Sequence, residues 1–363
     1  MKQEGYIINS LPGCPVFTGA NSTDHLRRFL DQNHPNERIF ILTDNNTKIF
    51  CLPLLIENVP SLFSCPVMSI PAGEASKSLA MLEEIWIWLM DGGADRGSVL
   101  VNLGGGVVSD LGGMAAATFK RGISYINVPT TVIGQADAAV GGKTGINVAG
   151  IKNQAGVFCD PTAVFVFPGF LDTLPVRDFK SGFAEIIKSA ILAGGESWQT
   201  VKRLEKLTDD SLPELIRSCI EYKCRLVAID PYDRKERQAL NFGHTIGHAF
   251  ESCVSAYGED GLTHGEAVAA GMICESYLSL ELTGLSDGEC AEITHVIRNN
   301  FNLKSYSHDI YNELFEFLGY DKKNTRGGII CSLLEKIGKP VIGKTAAAEN
   351  IYRSFLFYNQ KAR

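Results

Sequence analysis

The chain has 363 residues, of which 45% are hydrophobic and 21% charged, and its formal net charge is −7. At about 150 residues per domain this length predicts two domains, and long apolar segments exclude a disordered chain. The acidic balance is wrong for a nucleic-acid binder, which would carry a basic face.

No run approaches the roughly 18 apolar residues of a membrane span. The opening residues, MKQEGYIINSLPG, have neither the basic start nor the apolar stretch of a secretory signal. Ten cysteines occur without a C-x-x-C pair. No disulfide framework is expected, and the thiols fit a reducing cytoplasm.

Taken in chain order, the first half alternates β-rich runs with helical patterns. Strands are expected at Arg38–Thr43, Pro66–Ile70, Ser98–Leu103, Ser124–Val128 and Ala163–Phe167, and helices at Ser76–Asp91 and Val108–Thr118. Such alternation implies crossover connections and a parallel sheet covered on both faces. From about Gly169 the pattern is helical, almost without strand candidates: Val176–Leu192, Ser211–Ile229, Gly243–Ser255, Glu266–Leu282 and Glu289–Asn299. The expected architecture is an α/β domain over 1–170 and an all-α domain over 171–363. No low-complexity linker separates them, so tight packing is expected, and clefts between domains are favoured ligand sites. The Gly-rich stretch from Ile133 to Cys159 reads as a long loop, uncommon unless functional.

Gly104-Gly105-Gly106 follows an expected strand and opens an expected helix. Unpaired N–H groups there, with no side chain in the way, suit a pyrophosphate. The dinucleotide fingerprint G-x-G-x-x-G is incomplete, because Ser109 holds its last glycine position, and a plain tight turn remains an alternative. Asp110 is placed to accept hydrogen bonds from a ribose or nicotinamide. Further on, His244 and His248 lie at i and i+4 on one helical face, and His264 opens a later helix. Neutral imidazoles with one carboxylate suit a catalytic zinc site, but spacing does not choose two ligands among the three histidines. Glu185 is the candidate carboxylate. With Lys188 it could form an ordinary surface i,i+3 pair, yet Phe183, Ala184, Ile186 and Ile187 around it predict burial, where charges need partners. Arg121, Lys143, Lys152, Lys223, Arg237 and Lys322-Lys323 stand in apolar or Gly-rich surroundings. Any one is accounted for as a solvated surface charge. As a set they suit the phosphate or carboxylate of a small anionic substrate. Gly142-Lys143-Thr144 lacks the upstream glycine of a P-loop.

In order, GEASKS (Gly73–Ser78), GGGVVSD (Gly104–Asp110), KRGISYINVPTT (Lys120–Thr131), DAAVGGKTGIN (Asp137–Asn147), IKN (Ile151–Asn153), TLPVRDF (Thr173–Phe179), GFAEIIK (Gly182–Lys188), NFGHTIGHAFE (Asn241–Glu251) and HGEAVAAGM (His264–Met272) resemble the 3-dehydroquinate synthases. These are the shikimate-pathway branch of the sugar-phosphate cyclases. The resemblance runs from Asp44 to Asp321-Lys-Lys-Asn324 and implies a Rossmann-like NAD-binding domain followed by a helical metal-binding one. It implies zinc or cobalt held by Glu185, His244 and His264, with His248 on the substrate side. NAD would be held by Asp44, Asn46, Glu74, Lys77, Gly105, Gly106, Val107, Asp110, Thr130, Thr131, Lys143, Lys152, Thr173 and Leu174. Asp137, Lys143, Lys152, Asn153, Lys188, Lys223, Arg237, Asn241, His248 and Lys323 would line the substrate pocket. Arg121 would reach the neighbouring subunit's phosphate, which implies a homodimer. The implied reaction takes 3-deoxy-D-arabino-heptulosonate 7-phosphate through transient oxidation by NAD, phosphate loss, reduction and aldol closure to 3-dehydroquinate. Three departures stand out: Asp233 replaces a common Glu, Ala138-Ala139 replace a frequent Ser-Ser, and four residues are inserted between His248 and His264 relative to some members. Three rival readings are a glycerol-dehydrogenase-type polyol dehydrogenase, a cyclase for another sugar phosphate, and a non-catalytic NAD-binding scaffold. The cation set opposes the first, Asn241 and Lys323 the second, and the intact Glu185, His244, His264 and Lys188 the third.

Overall fold

The computed structural model describes residues 6–8, 11, 13–149, 151–204, 211–255, 261–306, 309–319 and 328–360. Contacts divide the chain into two compact units. Met1–Pro175 with Asp209–Ala228 form the first, and Val176–Thr208 with Ile229–Arg363 form the second.

The first unit is built on a seven-stranded sheet. Its strands are β1 (Tyr6–Ile8), β2 (Val16–Thr18), β3 (Ile39–Asp44), β4 (Val67–Ile70), β5 (Val99–Gly104), β6 (Ser124–Pro129) and, after a hairpin of β7 (Lys143–Val148) and β8 (Ile151–Phe158), β9 (Ala163–Val166). They lie in the order β1-β2-β9-β6-β5-β3-β4, parallel throughout except for β1 against β2. Alternation along the strands feeds two cores. Ile41, Val99, Val101, Leu103, Ile126 and Val128 pack with Leu26 and Leu30 of α1 (Ser22–Asn33). Past α2 (Asn45–Phe50), Leu52 and Leu55 of α3 (Leu52–Asn58) join the same face. On the other face Phe40, Leu42, Leu100 and Tyr125 meet Leu82, Ile85 and Leu89 of α4 (Leu79–Asp91) and Val108, Leu111 and Ala115 of α5 (Gly106–Thr118).

The Gly-rich stretch at 133–159 is not a long loop. It forms a π-helical turn at Gly134–Ala138 and then an antiparallel hairpin of β7 (Lys143–Val148) and β8 (Ile151–Phe158). Glycine serves packing here: a Cβ on Gly113 of α5 would lie 2.6 Å from Cγ2 of Thr144, so α5 and the hairpin sit close. Glycines obscure the period-2 pattern by which a strand is read.

Beyond Pro175 come α6 (Val176–Ala193), α7 (Gly195–Arg203) and α8 (Leu212–Ile229), the last of which belongs to the first unit save for its final residue. The second unit continues with α9 (His244–Ser255), α10 (His264–Leu282), α11 (Asp287–Asn300) and α12 (Asp309–Gly319). It also holds an antiparallel ribbon, β10 (Ile329–Lys336) with β11 (Lys339–Ala346), which the helical reading did not anticipate, and then α13 (Ala348–Gln360). Helix α10 is its axis, with Val268, Met272, Ile273 and Leu278 fully buried and neighbours α6, α9, α11 and α13. Among the described residues, no helix is long and apolar enough to cross a membrane, and all ten cysteines are free thiols.

Candidate active site

In the second unit, α9 and α10 approach almost backbone to backbone. A Cβ on Gly247 would lie 3.0 Å from the Ala267 carbonyl oxygen, and one on Gly271 would strike the Gly243 carbonyl. Glu275, fully buried on α10, accepts the N–H groups of Gly243 at 2.6 Å and Ile246 at 3.1 Å. A buried carboxylate thereby anchors the first turn of α9, where His244 sits. Thr263 caps α10 through a reciprocal pair with Glu266, so His264 is the first helical residue. The N–H of Gly265 donates to Ser181 Oγ at 2.9 Å, tying that end to α6.

These contacts gather Glu185, His244 and His264, whose ligand atoms lie within 4.8 Å of one another. Glu185 Oε1 is 3.4 Å from His244 Nε2 and 3.2 Å from His264 Nε2. Its Oε2 is 2.5 Å from Lys188 Nζ, and both residues are 1% exposed. Burial opposes ionisation of Glu185, but Lys188 and His244 outweigh it and hold the carboxyl well below the usual range. Burial, followed by the Lys188 cation, pushes His244 down. Burial also opposes protonation of His264, yet hydrogen bonds to Glu185 and Glu251 win and raise it to about 9. Two imidazole nitrogens and a carboxylate oxygen fit the donor set of a catalytic zinc-type site. A second possible group, His248, Glu251 and His264, shares His264, and its His248 is exposed.

Asp230, just before this region, accepts the backbone N–H groups of Arg234, Lys235 and Arg237 at 3.0, 2.6 and 3.2 Å. The loop so folded buries Arg237, whose Nη1 donates to the Pro231 carbonyl at 2.8 Å. Asp233 takes a left-handed φ of 56° in this loop, a conformation that favours Asp over bulkier residues. Asn241 is half-buried.

In the first unit, α5 starts at the end of β5 with Gly105 as an extended N-cap that supplies no side-chain hydrogen bond. A Cβ on Gly105 would come 3.0 Å from Thr131 Cγ2, so any larger residue there would have to push that methyl aside. Gly106 and Val107 are half-buried, and the Thr130 N–H donates to the Gly104 carbonyl at 3.0 Å. Asp44 Oδ1 caps α2 by accepting from Asn46 and Thr47, each at 2.9 Å. Thr173 is exposed and Leu174 half-buried. A polar chain joins most of the remaining candidates: Lys77 Nζ lies 2.5 Å from both Asp110 Oδ2 and Asn153 Oδ1. The Asn153 N–H donates to Asn147 Oδ1 at 2.9 Å, and Asn147 Nδ2 donates to Glu74 Oε1 at 2.8 Å. Asn153, expected beside the substrate, thus shares Lys77 with the expected dinucleotide residues. Lys223 on α8 donates to the Asp137 carbonyl at 2.7 Å and to its carboxylate. Lys143 and Lys152 are exposed on the hairpin, and Arg121, in the turn that follows α5, is exposed at a φ of 71°. Lys323 lies outside the described residues.

Asn147, Glu251 and Glu275 carry the geometry without having been singled out. The only signal for Glu275 was a carboxylate inside an otherwise apolar helix, MICESYL, and Asn147 gave none beyond its place in a block.

Family models describe residues 67–181 as 3-dehydroquinate synthase N-terminal and 182–324 as 3-dehydroquinate synthase C-terminal. A 3-dehydroquinate synthase of Parabacteroides distasonis is 41% identical over 326 residues, 89% of this chain and 92% of the relative. The fold is similar to that of 2-deoxy-scyllo-inosose synthase complexed with carbaglucose-6-phosphate, NAD+ and Co2+, with a TM-score of 0.82 at 23% identity over 97% and 99% of the two chains. Glycerol dehydrogenase from Schizosaccharomyces pombe is less alike, with a TM-score of 0.60 at 15% identity over 94% of this chain and 88% of that one.

Proposed function

The chain belongs to the 3-dehydroquinate synthase family, and we propose that Glu185, His244 and His264 hold its divalent cation while the β5–α5 turn, Asp44, Thr130, Thr131 and the Lys77–Asp110 group hold NAD. It is a carbon–oxygen lyase that converts 3-deoxy-D-arabino-heptulosonate 7-phosphate to 3-dehydroquinate and inorganic phosphate, within the shikimate pathway. The observation that carries the metal assignment is the meeting of three donor atoms on one buried helical framework. NAD+ and Co2+ in 2-deoxy-scyllo-inosose synthase support the same pair of cofactors here.

Bound in these places, the cation supplies Lewis acidity and the nicotinamide a reversible hydride acceptor. The remaining work falls to the chain's own side chains. Lys188 keeps the Glu185 carboxylate ionised and turned. Lys143, Lys152, Lys223, Arg237 and Lys323 take the substrate's carboxylate and phosphate through charge-assisted hydrogen bonds. Asp137, Asn153, Asn241 and His248 orient its hydroxyl groups. Held this way, the phosphate is positioned to take the C6 proton as it leaves, so the cations contribute chiefly by placement. Arg121 serves the partner subunit in a homodimer, which sedimentation would register, and the protein works in the cytoplasm.

A phosphate-release assay on the heptulosonate phosphate, with metal and NAD+ omitted in turn, tests this reading. Release should need both, with no net NADH. Net NADH from glycerol without phosphate release would instead make it a polyol dehydrogenase.

A further inference from the structure

His264 stands between two carboxylates. Its Nε2 is 3.2 Å from Glu185 Oε1 and its Nδ1 is 3.3 Å from Glu251 Oε2. A neutral imidazole has one N–H and one lone pair, so only one ring nitrogen can face a metal, and the other must find an acceptor. The structure therefore offers two mutually exclusive arrangements at this ring: Nε2 on a cation shared with Glu185 and His244, or Nδ1 on one shared with His248 and Glu251.

We propose that Glu251 is a positioning residue: it accepts the Nδ1–H of His264 and so turns Nε2 toward the cation. This rests on the metal assignment above and adds a residue to it. Three observations favour it. His244 is arranged in the same way, with Nδ1 3.2 Å from the Phe242 carbonyl oxygen and Nε2 toward the same Glu185 oxygen. Glu251 lies seven residues after His244, two turns along the same face of α9, so one helix supplies both a ligand and the acceptor that orients the other. The alternative group would place the ion beside exposed His248 and would leave the buried Glu185–Lys188 pair with no part in holding it. Carboxylates that hold the second nitrogen of a metal-bound histidine typically account for about 10- to 100-fold in metal affinity.

The test is a 15N-histidine spectrum of the zinc-loaded protein, with the His264 signal assigned from His264→Gln. Coordination through Nε2 with a protonated Nδ1 is expected, and coordination through Nδ1 would overturn the proposal. Zinc competition with a chromophoric chelator supplies the second readout. Glu251→Ala should bind one zinc about 10- to 100-fold more weakly, and Glu251→Gln, which keeps a carbonyl acceptor, should recover to within about threefold. Wild-type affinity in Glu251→Ala, or loss of all zinc in both variants, would overturn the proposal; the latter would make Glu251 a ligand. His264→Ala separates the two readings: zinc retained there refutes the metal assignment, whereas zinc lost there with Glu251→Ala unaffected refutes only the role of Glu251. Should Glu251→Ala fail to fold, the wild-type spectrum decides alone.

Discussion

Lys188 shows how the proposed cation site is kept in order before any ion arrives. Its ammonium lies against Glu185 in a region from which water is excluded, and removing one member of a buried pair leaves the other charge uncompensated. Lys188→Met should cost the metal-free protein about 3 kcal/mol or more. Saturating zinc should reduce that loss, because the cation takes over the counter-charge. Denaturant melts with and without zinc check this, and an equal loss in both would contradict it. His264 adds a pH dependence with a defined sign. Its folded value of about 9 stands above the ordinary 6.5, so its protonated form stabilises the metal-free fold fully below about pH 6.5. That contribution is lost as pH rises through about 9. Zinc must displace the same proton, so its apparent affinity should rise about tenfold per pH unit below 9 and level off above. A flat profile between pH 6 and 8 would show that His264 enters the site already neutral.

At the scale of elements, close packing of α9 against α10 sets the spacing of the two imidazoles. Gly271 meets the Gly243 carbonyl and the Gly247 backbone, none of which can move aside as a side-chain tip could. Gly271→Ala should force the helices apart, cost about 1–3 kcal/mol by overpacking and weaken zinc binding together with stability. Unchanged zinc affinity in a destabilised variant would show that the helix spacing does not govern the site. The elements themselves were partly legible. Runs such as SVLVNL and SYINV announced β5 and β6, and the 3.6-residue period announced α6 and α9. The β7–β8 hairpin escaped because its glycines Gly145 and Gly156 let its two strands pack against each other rather than form a loop, and β10–β11 escaped because the surrounding helical pattern dominated. Within the site, spacing brought out three histidines but could not choose among them, since the choice depends on how α6 and α10 meet at Ser181 and Gly265. Glu251 and Glu275 act across helices, which no local pattern encodes.

For the molecule as a whole, the two units divide the proposed chemistry. The donors Glu185, His244 and His264 all belong to the second unit, and the β5–α5 turn with Lys77 and Asp110 belongs to the first, where α8 also brings Lys223 to Asp137. The chain order thus interleaves the units, with α8 sequentially among the helices of the other. Because every proposed ligand lies in one unit, the cation should bind without the dinucleotide. The most direct test is anomalous diffraction at the zinc edge from crystals grown with zinc and no NAD. A single peak bounded by the Glu185 carboxylate and the Nε2 atoms of His244 and His264 is predicted. A peak between His248, Glu251 and Nδ1 of His264, or none until NAD is added, would contradict the account.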